Sequence, residues 1–173
     1  MKLAPWVRFT WNLSELAGLE AALPPHYHFA PARGSDEKEL RTVITRAVAH
    51  ESSWGDSIQE INGMIDAWLE RAFERENAGL PLTLRHGLRI IGAAILLPDA
   101  AAENHLSPGP CVLLEYRNRG LGTALLGESL RQLREAGLSH AAARAKLNSP
   151  VAKFLYPKFN GRPAPDDKPL LAA

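Results

Sequence analysis

The stretch Arg117-Asn118-Arg119-Gly120-Leu121-Gly122-Thr123 lies between an apolar run, Cys111 to Leu114, and a segment with Leu126, Leu130 and Leu133 on one helical face. That order reads as a strand, a tight basic turn and a helix start. Glycines at 120 and 122 let the backbone approach a ligand, and the first amides of a helix carry roughly half a positive charge. The turn is therefore suited to an anion, and its extent suits a pyrophosphate. The usual nucleotide patterns fit poorly. A Walker loop needs Gly-Lys followed by Ser or Thr, which the chain lacks. A dinucleotide fingerprint needs a third glycine at 125, where Leu125 stands, and an acidic residue closing the next strand. The plain alternative is a glycine turn that only packs a helix against a strand.

Composition bounds the rest. A chain of 173 residues is about one domain long, enough to bury roughly 70% of its unfolded surface. Its 46% hydrophobic and 23% charged residues describe a globular protein, and a net charge of +1 gives no general attraction to nucleic acid or anionic membrane. Cys111 is the only cysteine, so no internal disulfide is expected. Arg8 and Glu15 interrupt the N-terminal segment, so neither a signal peptide nor a membrane span is expected and a cytoplasmic location follows.

Val7, Phe9 and Trp11 alternate with Arg8 and Thr10, which predicts a short strand, and Ser14 to Leu23 reads as a brief helix ending at Pro24-Pro25. Tyr27 to Ala32 reads as a core strand. Ser35 is placed to cap a helix bearing Leu40, Val43, Ile44 and Ala47, which ends near His50. Ser57 and Glu60 have capping-box spacing before an apolar face of Ile58, Ile61, Ile65, Trp68, Leu69 and Ala72, predicting a second helix to about Asn77. Leu82 to Arg85 and Leu88 to Leu97 predict a hairpin around His86-Gly87, and His105 to Leu114 a fourth strand. A helix from Gly120 to Ala136, with Gly137 as C-cap, precedes a strand over Ala141 to Lys146.

The basic turn resembles motif A of the GNAT N-acetyltransferase superfamily, in which Arg or Gln is followed after two residues by Gly, any residue, then Gly or Ala. Arg117, Gly120 and Gly122 occupy those places, and Glu115-Tyr116 and Thr123-Ala124-Leu125-Leu126 also look like the family. The resemblance implies an α/β (α+β) acyltransferase fold, a mixed central sheet flanked by helices. It also implies acetyl-coenzyme A as cosubstrate. It assigns Arg117, Asn118, Arg119, Gly120, Leu121, Gly122 and Thr123 to the cofactor, and the backbone of Cys111 and Val112 to the pantetheine arm. Asn148 with Val151 to Tyr156 resembles motif B, where an asparagine bonds pantetheine and a tyrosine faces the thioester sulfur. The family's tyrosine stands one residue nearer the asparagine, where this chain has Leu155, and Ser149-Pro150 offers the extra residue. Tyr156 is the candidate acid, with a core ring as its plain alternative.

An amine acceptor must lose a proton, and family geometry nominates Glu103 and His105, each otherwise a loop residue. Two acids around Trp54, in the loop Glu51 to Asp56, suit an aliphatic or cationic amine; an inward-folded Trp54 is the alternative. His26 and His28 share a strand face without a third ligand at sensible spacing, so no metal is expected.

The sequence thus divides into an N-terminal extension over 1–25, an acetyltransferase domain over 26–161 and a proline-rich tail over 162–173 that shortens the usual end of the fold. The expected activity is transfer of an acetyl group from acetyl-coenzyme A to the amine of a small molecule or peptide by direct attack. A coenzyme A-binding sensor or idle scaffold is the alternative. Family members usually finish with two more strands beside the fifth, but prolines 163, 165 and 169 make this tail a poor strand. Trp6 to Trp11 is therefore expected to pair near Ala141 to Lys146, within one subunit or across a homodimer.

Overall fold

A computed structural model describes residues 6–19, 22–49, 58–73 and 79–165. The regular elements are β1 (Trp6–Asn12), β2 (Tyr27–Pro31), α1 (Glu37–Ala49), α2 (Ile58–Phe73), β3 (Leu80–His86), β4 (Arg89–Leu96), β5 (Cys111–Val112), α3 (Leu121–Glu135), β6 (His140–Lys146) and β7 (Arg162–Pro165). The strands make two antiparallel sheets, ordered β2-β3-β4-β5 and β6-β1-β7.

The first sheet joins neighbours in sequence. Its hairpin turns at Gly87, whose φ of 60° suits glycine. Every residue of β4 from Ile90 to Leu96 is buried, because helices cover both faces of that strand. Leu40 and Ile44 of α1 and Ile65 and Leu69 of α2 pack with Ala93 and Ile95, while Leu121 and Leu125 of α3 pack with Ile90 and Ile91.

The second sheet is made from the ends of the described chain. β1 is its middle strand, pairing from Trp6 opposite Lys146 to Asn12 opposite His140 on one side, and from Val7 opposite Pro165 to Thr10 opposite Arg162 on the other. The expected pairing of Trp6 to Trp11 beside β6 occurs within one chain. Val7, Phe9 and Trp11 are 4%, 2% and 0% exposed and pack with Leu126, Leu130 and Leu133 of α3. Opposite them β6 presents Ala145, Ala143 and Ala141, and those small side chains leave room for the rings.

Four local expectations are corrected. The tail after Gly161 does supply a strand: β7 is an edge, where Pro163 and Pro165 are tolerated and Arg162 and Ala164 keep an N–H to give. Among the described part of Ser14 to Leu23 there is no α-helix, only a single 3-10 turn at Leu13–Glu15, and Gly18 at φ 72° breaks any continuation. Ser35 does not cap α1; the Asp36 carboxylate instead accepts the Arg33 N–H at 2.8 Å within a preceding 3-10 turn. The fourth strand shrinks to β5 plus a bridge between Leu96 and Leu106, because Pro108 and Pro110 have no N–H for a ladder. Val151–Leu155 forms a single π-type turn before Pro157.

Candidate functional site

The chain leaves β5 through a 3-10 turn at Leu114–Tyr116 and enters α3 through Gly120, which takes φ 76° as N-cap. Asn118 is also left-handed, at φ 62°. This double reversal presents the first amides of α3 to solvent, and no acidic residue occupies the helix's first turn. A β-carbon on Gly120 or Gly122 would meet nothing within 4 Å, so the space before the helix is open. Beside it runs a groove of about 270 Å³ whose walls include Gly120, Thr123 and Gly127 of the α3 region and Leu19 and Phe159 facing them.

The residues of the turn divide by orientation. Arg117 is turned inward: Nε donates to the Val112 carbonyl and Nη2 to the Ala47 carbonyl, both at 3.0 Å. Its guanidinium ties the C-terminus of α1 to β5. Leu121 is 2% exposed with its side chain in the core, so only its backbone faces the turn. Arg119 is exposed, its Nη2 donating to the Glu115 carbonyl at 3.2 Å and its guanidinium 5.6 Å from the Tyr116 ring centroid. Glu115 is held below the ordinary carboxylate range by its own backbone N–H and by Arg46 and Arg89. Lys158, which the sequence pattern did not single out, donates from Nζ to Thr123 Oγ1 at 2.7 Å and so brings a cation to the helix start.

Among the described residues no ladder joins β5 to β6. The strand leading to β5 is hydrogen-bonded to β6 at His105. Its N–H donates to the Ala142 carbonyl at 2.7 Å, and the Ala142 N–H donates to His105 Nδ1 at 2.9 Å. Beyond that pin the strands part. Leu113 bonds back to Ile91 of β4, so alternation turns the polar groups of Val112 toward the parted edge. Cys111 bonds the Ala93 carbonyl through Sγ at 3.4 Å and packs against the α1–α2 core.

A bulge shapes the gap. Leu96 faces Leu106 but Ala93 faces Cys111, so this strand takes five steps where β4 takes three. The surplus falls around Pro108-Gly109-Pro110, and a β-carbon on Gly109 would collide with the Tyr156 hydroxyl. Tyr156 is 2% exposed and its ring meets Phe9 and Trp11 edge-on at 5.5 and 5.3 Å between centroids. The aromatic side of β1 thus aims the phenol at the bulge.

The remaining candidates fall at different depths. His105 is 4% exposed, and its Nε2 bonds the Asp99 carbonyl at 2.9 Å. With Nδ1 accepting from Ala142, this is a neutral ring protonated at Nε2, both nitrogens engaged by backbone. Burial, with the Arg8 charge adding, lowers its pKa below the ordinary value. Glu103 is exposed on the loop before it, and Asn148 is exposed on the turn after β6. Ser149 closes that turn, donating to the Lys146 carbonyl at 2.7 Å and accepting from the Ala152 N–H at 3.2 Å. His26 and His28 are exposed, and no three His, Cys, Asp or Glu among the described residues are grouped to hold a metal. The expected acceptor loop, Glu51 to Asp56, lies outside the described residues, as does Ser57. No helix among the described residues is long and apolar enough to cross a membrane.

Comparison with known proteins identifies the family. A family model described as the acetyltransferase (GNAT) family matches residues 45–161. A GNAT family acetyltransferase from Brucella melitensis, solved in complex with acetyl-CoA, is 28% identical with a TM-score of 0.51, covering 65% of this chain and 71% of that one. A GCN5-related N-acetyltransferase from Sphaerobacter thermophilus has a TM-score of 0.64 at 15% identity over 95% of this chain but 50% of its own. One from Ralstonia eutropha has a TM-score of 0.63 at 16% identity, covering 84% of this chain and 99% of that chain. The chain therefore spans about half the length of some of the structures it resembles. No curated protein matches it.

Proposed function

Because the chain belongs to the GNAT acetyltransferase family, we propose that it transfers an acetyl group from acetyl-coenzyme A to an amine. The observation that carries this reading is the bare N-terminus of α3 opening beside parted strands, with the Tyr156 hydroxyl at the bulge between them. The residues present fit the cofactor. Amides of Leu121 to Thr123 suit a pyrophosphate, Arg119 and Lys158 add charge, and the groove beside Gly127 and Phe159 is open to the rest of the nucleotide. The polar groups of Val112 at the parted edge suit an amide-bearing arm, although Arg117 already occupies the carbonyl.

Acetyl-coenzyme A supplies a thioester whose acyl carbon an amine nitrogen attacks, the carbon–sulfur bond breaking to release a thiolate. Tyr156 stands to give that sulfur its hydroxyl proton. A phenol of pKa about 10 protonates a thiol of pKa about 8.5 only as charge develops, so proximity matters more than acidity. His105 itself serves here as the pin, and the amine proton leaves to solvent or to Glu103 on the exposed loop.

A sensor without turnover is the second reading, and the burial of Tyr156 together with the engaged nitrogens of His105 favours it. Thermal-shift titration with acetyl-coenzyme A, followed by thiol release over an amine panel, separates the two. Binding with thiol release supports transfer; binding without it supports the sensor.

A further inference from the structure

The three-stranded sheet has two unlike faces. Val7, Phe9 and Trp11 lie toward α3 and Tyr156, so the pleat turns Trp6, Arg8 and Thr10 to the opposite face. Residues directly opposite share a face, which places Lys146 beside Trp6, Arg144 beside Arg8 and Arg162 beside Thr10. With His140, these strands carry five basic residues and no Asp or Glu.

The arrangement is costly as it stands. A buried polar atom without a partner is destabilising. Arg8 stands opposite Arg144, and among the described residues Arg8 Nε is buried with no hydrogen-bond partner. Lys146 is 7% exposed, and both Lys146 Nζ and the Arg144 guanidinium lie 5.8 Å from the Trp6 ring centroid. Arg8 faces Arg144, two residues along β6 from the Ala142 that His105 pins, which sets it beside the pinned end of the gap, where its charge opposes protonation of His105. The acids next in chain to His105 are Asp99, one of whose carboxylate oxygens accepts the Ala101 N–H at 2.9 Å, and exposed Glu103.

We propose that this face receives an anionic group, a carboxylate or phosphate carried by the acceptor amine, with Arg8 as its ligand, so that the protein acts on negatively charged amines. The inference rests on the acyl-transfer reading above. The cofactor turn and Tyr156 lie on the α3 side of the sheet, so an acceptor held at Arg8 approaches the gap from the other side. A guanidinium offers Nε and Nη in one plane, the fork that a carboxylate or phosphate accepts, and a bound oxyanion would satisfy Nε.

The test uses matched amines: ω-amino acids and aminoalkyl phosphates, each beside the same amine with the anion replaced by carboxamide or hydrogen. Thiol release is followed with wild type, Arg8→Met, which keeps length and removes charge, and Arg8→Lys, which keeps charge and loses the fork. Expected is at least a tenfold lower KM for the anionic member of a pair, lost in Arg8→Met and partly kept in Arg8→Lys, with acetyl-coenzyme A affinity unmoved. The carboxylate and phosphate arms identify which oxyanion is preferred. Calorimetric titration of the same pairs, with coenzyme A present, reads anion binding without turnover. Arg8-dependent binding with no thiol release leaves the anion site standing and removes the transfer reading. Equal affinity for charged and neutral members, or selectivity that survives Arg8→Met, overturns the anion site. Unfolding curves check the variants, and Arg8→Met is expected to be no less stable than wild type.

Discussion

The two sheets make an instructive pair. In β2-β3-β4-β5 each strand pairs with its neighbour in sequence, and helices cover β4 on both faces. In β6-β1-β7 the middle strand comes from the first described residues and both partners from the last third of the chain. The first sheet supplies the parted edge and leads into the anion turn. The second supplies the rings that aim Tyr156 and the basic face beyond them. The proposed cofactor turn is thus written in a short local stretch, whereas the position of Tyr156 and the proposed acceptor surface depend on contacts across most of the chain.

The sharpest break in that comparison is expected at Trp11. Trp11→Ala removes a fully buried ring and the Nε1 donation to the Lys158 carbonyl at 3.0 Å, and should cost about 3–5 kcal/mol in denaturant unfolding. Phe29→Ala on the edge strand β2, where the ring is only partly buried, should cost less than half of that. Equal losses would mean that the second sheet is no more dependent on its middle strand than the first is on its edge.

Tyr156→Phe deletes one oxygen and leaves the Phe9 and Trp11 packing in place. Turnover should fall about 100-fold while coenzyme A affinity holds. Matching wild-type and mutant rates on a verified acceptor would make Tyr156 a purely structural ring.

Gly122→Val sharpens the cofactor side. Its β-carbon meets no neighbour within 4 Å, so folding should survive, while coenzyme A affinity should weaken at least tenfold, about 1.4 kcal/mol. Unchanged affinity in a folded variant would contradict the anion turn.

The smallest effect concerns the pin between the sheets. His105 has a lowered pKa in the folded state, so its contribution is present above the ordinary histidine value and is lost as pH falls through that value toward the folded one. Protonation would set an N–H at Nδ1 against the Ala142 N–H. Melting temperature should decline modestly as pH falls below about 6.5, the unperturbed histidine value, and His105→Gln should flatten that decline. The carboxylates of Asp36, Glu115 and Glu128, whose pKa values are also lowered, act later, below about pH 4. An undiminished decline in the variant would place the responsible group elsewhere.

Local signals carry much of this fold. The β3–β4 hairpin, α1, α3 and the turn between β5 and α3 each follow from residues within a few positions, because glycine conformation, helix periodicity and strand alternation act over that range. Even β1 is legible, since Val7, Phe9 and Trp11 alternate and Ala141 to Lys146 needs a neighbouring strand. What failed was local reading where the tertiary structure outvoted it. Prolines at 163 and 165 argue against a strand in isolation, yet β1 offers an edge where they fit. The run from His105 looks continuous, yet Pro108 and Pro110 force a bulge that meets Tyr156.

By itself the sequence determined the glycine turn, the helix behind it and the family to which they belong, because amide orientation at a helix start needs only nearby residues. Only the tertiary structure decided that Arg117 faces inward, that His105 pins two strands, that Lys158 reaches Thr123 and that Arg8 meets Arg144 across a ladder. Those pairings join residues tens of positions apart, and no pattern in a linear chain encodes which distant partner a side chain will meet once the core has closed.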